Sequence, residues 1–269
     1  MGKDGAARCR ALVTGASSGI GEELARVLAA NGHDLVLAAR SADKLRALAA
    51  ELGSKHGVAA EAIAADLGRA GGGAVLADDL RRRGLEVDIL VNNAGVGMHG
   101  PFAAADPARQ TGLLLLNVVA LTELTRALLP AMLARRSGRV MNVASTAGFV
   151  PGPFMAVYYA SKAYVLSLSV ALADELRGTG VTVTALCPGA TRTNFGVAAG
   201  ASGTRLFGGR GVMGAPEVAR AGYAGMMAGK AIVVTGLRNR ILAGSSNLAP
   251  RWLLARIARA LQDPADVAP

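Results

Sequence analysis

RALVTGASSGIG, residues 10–21, is the stretch on which the fold turns. Residues 10–14 are a short apolar run of strand character, and helical periodicity begins at Ile20. Between them Gly15, Gly19 and Gly21 follow a GxxxGxG spacing, with Ser17 and Ser18 inside the turn. Glycine allows a tight turn and lets another group approach the backbone closely. The helix that follows has unpaired N–H groups and a positive dipole end at its first turn, which suits a pyrophosphate. A glycine-rich turn that binds nothing uses the same letters, so the rest of the chain has to decide.

Outward from this stretch, strand-like and helix-like segments alternate. Further strands are expected at residues 34–39, 58–64, 87–91, 139–143, 181–186 and 231–235. Helices are expected at 43–52, up to Arg83, at about 107–136, at about 154–177 and at 216–228. The strands are apolar on both faces, the mark of a parallel sheet covered by helices on both sides. The fold class is therefore α/β, a Rossmann-like doubly wound parallel sheet of about seven strands. It forms a single domain over residues 1–235, with a C-terminal helical extension of the same domain at 236–269. Residues 194–214 are glycine-rich and poorly periodic, and are expected to form a mobile substrate lid.

The net charge of +10 permits an anionic partner, such as a cofactor phosphate or a membrane surface. Aromatic residues make up only 4% and the arginines are scattered, so no nucleic-acid stripe is expected. His33, His56 and His99 have no ligand spacing, so no metal site is expected. Cys9 and Cys187 stand far apart, as in a reducing, cytoplasmic compartment. The longest apolar stretch, 113–121, contains Asn117 and is far short of a membrane span.

The TGxxxGIG pattern at 14–21 resembles the signature of the short-chain dehydrogenase/reductase family, in its single-domain branch. Further family motifs recur in order: Asp66 after the third strand, Asn92-Asn93-Ala94-Gly95 after the fourth, Ser145 after the fifth, Tyr158-x-x-x-Lys162, and Pro188-Gly189 after the sixth. The likeness runs over about residues 8–235. It implies a nicotinamide cofactor held by Gly15, Ser17, Ser18, Gly19, Ile20 and Gly21. It also implies that Asp66 and Leu67 frame the adenine and that Asn93, with Ala94 and Gly95, touches the cofactor. Thr191 and Thr193, after Pro188-Gly189, lie near the nicotinamide by the same resemblance. NAD sites place a carboxylate at the end of the second strand, but Ala39 stands there and Arg40 follows. A guanidinium fork suits a 2′-phosphate, so NADP(H) is the expected cofactor, with Ser17 adding a hydroxyl.

Tyr158 and Lys162 are four residues apart on an expected helix and so share a face. Reduction of a ketone builds an alkoxide that needs a proton, and tyrosine serves as that acid if a nearby cation lowers its pKa. Tyr159 and Tyr164 lack such a lysine. By resemblance, Lys162 also bonds the nicotinamide ribose. Ser145 is placed to hold the substrate oxygen. Asn117, a mid-helix asparagine, is by resemblance the holder of a water that leads to the lysine. The substrate is expected to be a small-molecule carbonyl or alcohol of apolar character, facing Met98, Phe149, Phe154, Met155, Phe195, Leu206, Phe207, Val212 and Met213, with Arg192, Arg205 and Arg210 nearby. Two other functions compete: a non-catalytic NADP(H)-binding redox sensor, which would lack the tyrosine or lysine, and an epimerase or dehydratase, which would be longer.

In the tail, Pro250 is expected to open a helix in which Leu253, Leu254, Ile257 and Leu261 form one apolar stripe. Three places can receive it: the chain's own core, a second subunit, or an anionic membrane surface, the last being the least favoured. A homodimer or higher homo-oligomer is expected, with the tail at the interface or over the substrate cleft.

Overall fold

The structure is a computed structural model that describes residues 8–208, 212–246 and 249–262. Its first unit is β1 (Arg10–Thr14), the glycine turn and α1 (Gly19–Ala30). β1 has Ala11, Leu12 and Val13 fully buried, because the sheet continues on both edges and helices cover both faces. In α1, Leu24, Ala25, Leu28 and Ala29 repeat at helical spacing and form the inner stripe. The pattern continues as β2 (Asp34–Ala39), α2 (Ala42–His56), β3 (Ala60–Ala64), α3 (Gly72–Arg82) and β4 (Ile89–Asn92).

Where one long helix is expected, the chain forms α4 (Pro107–Leu114), a π-helical turn (Leu115–Ala120) and α5 (Leu121–Ala134) without a break. A π turn holds one residue more than an α turn and is common at functional sites. Here it carries Asn117 to a buried position. Next come β5 (Gly138–Val143), α6 (Ala156–Glu175) and β6 (Val181–Cys187). In its described residues the expected lid region forms short elements. β7 (Thr191–Arg192) precedes it, α7 (Phe195–Ala198) and α8 (Arg205–Gly208) lie within it, and β7 pairs with β8 (Met213–Gly214) at its end. Arg210 lies outside the described residues. The chain ends with α9 (Ala215–Met227), β9 (Ile232–Val234), α10 (Leu237–Ser245) and α11 (Arg251–Gln262).

The main sheet has seven parallel strands in the order β3-β2-β1-β4-β5-β6-β9. One face packs Leu24, Leu28, Leu45, Leu52, Val218 and Met226 from α1, α2 and α9. The other packs Leu76, Leu80 and Leu124 from α3 and α5 against Leu12, Leu90 and Val140. The strand order reverses between β1 and β4, and ligands bind in the crevice at that point, beyond the carboxyl ends of the strands.

Of the three receivers expected for the tail's apolar stripe, the chain's own core does not take it. Ala258 and Gln262 are the buried residues of α11, Leu254 is half-buried, and Leu253, Ile257 and Leu261 stay exposed. A small alanine permits close approach, and Gln262 is held inside by its Nε2, which donates to the Tyr159 hydroxyl, although its Oε1 has no partner among the described residues. The helix docks through its polar-containing face, and the leucine stripe looks outward.

Candidate active site

The ends of β1 and β4 are stitched together around the glycine turn. Thr14 Oγ1 accepts hydrogen bonds from the N–H groups of Asn93 and Ala94, both at 3.0 Å. Asn93 Nδ2 donates to the carbonyls of Thr14 at 2.9 Å and Gly15 at 3.2 Å. Its amide nitrogen is thus turned to the glycine turn, which it braces. Asn92 is buried and donates to Thr125 Oγ1 and Asn142 Oδ1. Ala94 and Gly95 follow as small residues, with Gly15 packed tightly on the Ala94 backbone.

Gly15 has φ +65°, a conformation that glycine adopts without strain. Gly21 has no room for a side chain, since a Cβ there would run into the Gly15 carbonyl and Asn93 Nδ2. Ser18 precedes α1 in an extended conformation, and its side chain does not cap the helix. The first-turn N–H groups, at Gly19, Ile20 and Gly21, therefore remain available to a ligand. Together with this cradle, Arg40 is exposed after β2 and pairs with no carboxylate among the described residues. Ser17 is half-buried in the turn. These features fit a dinucleotide carrying an extra phosphate. Asp66 is occupied by its own turn, accepting from Gly68 N at 3.0 Å and from Arg69 Nε at 3.1 Å, and Leu67 is buried beneath it. Gly21→Ala should weaken NADPH binding by at least roughly tenfold, the effect of about 1.4 kcal/mol lost from the cradle. Fluorescence titration measures it, and an unchanged dissociation constant would contradict the fit.

The catalytic candidates meet at the end of β5. Ser145 is buried, and its Oγ accepts from Ala147 N at 3.1 Å and donates to Pro188 O at 3.3 Å. Tyr158 comes from the first turns of α6, and its ring lies 5.3 Å from that of Phe195. Lys162, one helical turn on, is buried with Nζ donating to Val143 O at 2.7 Å and lying 5.9 Å from the Tyr158 ring centroid.

The electrostatics differ from the sequence-based expectation of a tyrosine pulled down by lysine. Burial pushes the Tyr158 phenol well above its usual range, and the Ser145 side chain opposes this only in part. Burial also lowers the Lys162 ammonium to about 8. The lysine therefore gives up its proton before the tyrosine does, and enclosure outweighs proximity. Tyr158 stays protonated at neutral pH, as a proton donor must.

Asn117 sits beside this pair. A Cβ at Gly95 would lie 3.2 Å from Asn117 Oδ1 and 3.5 Å from Lys162 Nζ. Asn117 Oδ1 accepts from Val96 N at 3.0 Å, and its Nδ2 donates to Val96 O at 3.0 Å and Ser161 Oγ at 3.1 Å. It clamps the segment after β4 onto α6. Ser161, unremarkable in the sequence, completes the clamp by donating to the Tyr158 carbonyl at 2.6 Å.

After β6, Pro188 receives Ser145, and Thr191 is buried with Oγ1 donating to Gly189 O at 3.0 Å. Thr193 comes back over the glycine turn, where its Cγ2 would lie 3.2 Å from a Cβ at Gly19. An open cleft of about 440 Å³ lies along Thr191, Arg192, Thr193 and Val212. A small pocket of about 20 Å³ lies among Met98, Phe102, Phe154 and Val157. Phe154 holds φ +62°, rare for a bulky residue and a mark of local strain.

The tail reaches this region, which nothing in its letters announces. Gln262 Nε2 donates to the Tyr159 hydroxyl at 2.7 Å, and the Gln262 carbonyl lies 3.0 Å from His99 Nε2. The Arg259 guanidinium stands 5.1 Å above the Phe154 ring. Through these contacts the tail lies against the segments that carry Tyr159, His99 and Phe154.

Comparison with known proteins gives a consistent result. The sequence pattern of the family described as short chain dehydrogenase matches residues 10–202. A very-long-chain 3-oxoacyl-CoA reductase of Phaeosphaeria nodorum is 38% identical over 179 residues, 64% of this chain and 52% of that protein. The chain spans about half the length of such relatives. A short-chain dehydrogenase from Sphingobium yanoikuyae, solved with NADPH, is 37% identical with a TM-score of 0.80, over 89% of this chain and 94% of its own. A bulky-bulky ketone specific alcohol dehydrogenase from Comamonas testosteroni is 31% identical with a TM-score of 0.76, over 89% and 92% of the two chains.

Proposed function

This chain belongs to the short chain dehydrogenase family, and from that premise we propose that it is an NADP(H)-dependent oxidoreductase acting on a carbonyl or alcohol. The observation that carries the reading is the convergence of Ser145, Tyr158 and Lys162 at the carboxyl end of β5. When bound, the reduced nicotinamide supplies the hydride. Ser145 holds the carbonyl oxygen of the substrate and orients it to Tyr158. The Tyr158 hydroxyl donates its proton to that oxygen as negative charge builds there. The Lys162 ammonium then stabilises the tyrosinate left behind, and the reverse steps serve alcohol oxidation. Asn117 keeps the loop after β4 fixed on α6, so that Lys162 stays in register. A redox sensor without turnover is disfavoured because both Tyr158 and Lys162 are present.

The cradle residues Gly15, Gly19 and Gly21 hold the pyrophosphate, and Arg40 takes the 2′-phosphate. Arg40→Ala should raise the Michaelis constant for NADPH about tenfold and leave that for NADH nearly unchanged. Tenfold is the lower end for a charge-assisted bond, because this guanidinium is exposed and solvent screens it. An unmutated enzyme equally efficient with both cofactors would contradict this assignment.

The substrate side is apolar, and the names of the relatives point the same way, so a fatty-acyl or other bulky ketone is the proposed substrate class. A screen of NADPH oxidation over ketones and aldehydes tests it: oxidation with apolar ketones supports the reading, and none with any carbonyl overturns it. A homodimer through the outer faces of α4 and α6 is proposed from exposed Leu114, Tyr164 and Val170. A cytoplasmic, reducing location is proposed from the free thiols Cys9 and Cys187.

A further inference from the structure

From Val218 to Gln262 the chain carries charge of one sign only, and Asp263 and Asp266 follow at its end. Between Val218 and Gln262 the chain has Arg220, Lys230, Arg238, Arg240, Arg251, Arg256 and Arg259, and no aspartate or glutamate. Among the described residues, every ion pair involves positions at or before Arg177, so none of these cations pairs with a described carboxylate; Asp263 and Asp266 lie outside the described residues. The same segment bears large apolar side chains in water. Trp252 is 61% exposed, Ile257 53%, Leu261 40% and Leu253 37%. Leu253, Ile257 and Leu261 recur at four-residue spacing on one stripe of α11, and Trp252 and Arg256 pack together on its flank, 5.3 Å apart. The inner face of the helix is already committed to the chain's own fold through Ala258 and Gln262. In α10, Leu237, Ile241 and Leu242 are exposed in the same way beside Arg238 and Arg240.

We propose that the outer face of α11 docks on an anionic bilayer surface, with Leu253, Ile257 and Leu261 in the lipid boundary and Arg251 and Arg256 among the headgroups. An amphipathic helix that is basic on its polar side and carries Trp and Leu binds such interfaces. This reverses the order of preference that the sequence suggested, and charge is the reason. A symmetric contact between two copies sets a patch against itself. Here that would bring two sets of seven cations together, with only Asp263 and Asp266 of each copy to meet them. Anionic headgroups complement both the charge and the stripe. The proposal stands on surface chemistry and does not depend on the oxidoreductase reading.

Trp252 is the single tryptophan of the chain, so its fluorescence reports on this helix alone. The full-length protein is mixed with phosphatidylcholine vesicles with or without about one-third phosphatidylserine, at low and high salt. The expected result is a blue shift of Trp252 emission and flotation with the anionic vesicles, lost at high salt and absent with phosphatidylcholine alone. Leu253→Asp with Ile257→Asp should abolish flotation. Arg251→Gln and Arg256→Gln should each weaken partitioning about fivefold, and these charge variants keep the test valid if the aspartates disturb folding. No flotation of the wild type on anionic vesicles at low salt overturns the proposal. So does unaltered flotation of both sets of variants, or a wild-type dimer that the aspartates split into monomers.

Discussion

Tyr158→Phe should lower turnover by ~10²–10⁴-fold, the range for loss of a positioned general acid, while leaving fold and NADPH affinity intact. The substitution removes one oxygen from a ring that stays packed on Phe195, so little else changes. Ser145 keeps its bonds to Ala147 and Pro188 and continues to hold the substrate oxygen. Tyr159→Phe is the matched control, since it removes a neighbouring hydroxyl bonded to Gln262. It should alter turnover by no more than a few-fold. Steady-state kinetics on both variants decide the matter. A dead Tyr159 variant beside an active Tyr158 variant would move the chemistry to the other face of α6.

Lys162→Met should lower the rate of ketone reduction roughly a hundredfold. Its ammonium lies 5.9 Å from the Tyr158 ring centroid, and at an effective dielectric constant of about 20 a unit charge at that range stabilises the tyrosinate by about 3 kcal/mol. The lysine carries its proton below about pH 8 and loses it above. The stabilisation is therefore present at neutral pH and fades as pH rises through that value. Wild-type reduction should decline on the alkaline side from about pH 8, and the methionine variant should lack that decline. A variant with near wild-type turnover, or with the same alkaline break, would show that the charge is not used.

Some of this was legible in the letters and some was not, for physical reasons. Strands buried on both faces, such as residues 11–13 in β1, show as unbroken apolar runs, and spacing alone sets Tyr158 and Lys162 on one face of a helix. What spacing leaves out is burial. It gives the distance between tyrosine and lysine, but the enclosure that raises one pKa and lowers the other comes from the whole surrounding fold. The π turn at Leu115–Ala120 is one residue of extra winding, visible in the sequence only as an asparagine inside an apolar run. The clasp of Thr14 with Asn93 joins residues 79 apart, and no local pattern reports such a contact. In α11 the periodicity marks two faces without saying which one turns inward. Size and polarity at the docking surface chose Ala258 and Gln262 over the leucines. Residues 194–214 lack periodicity because their helices are only four residues long.

The central claim is that a hydride passes from NADPH to a carbonyl carbon while Tyr158 delivers the proton. NADPH deuterated at the transferable position, incubated with an active ketone and the wild-type protein, tests it most directly by mass spectrometry of the alcohol formed. The account predicts deuterium on the carbinol carbon, one per molecule of NADPH consumed, and a correspondingly slower appearance of that product with Tyr158→Phe. Alcohol formed without deuterium, or NADPH consumed without alcohol, would contradict it.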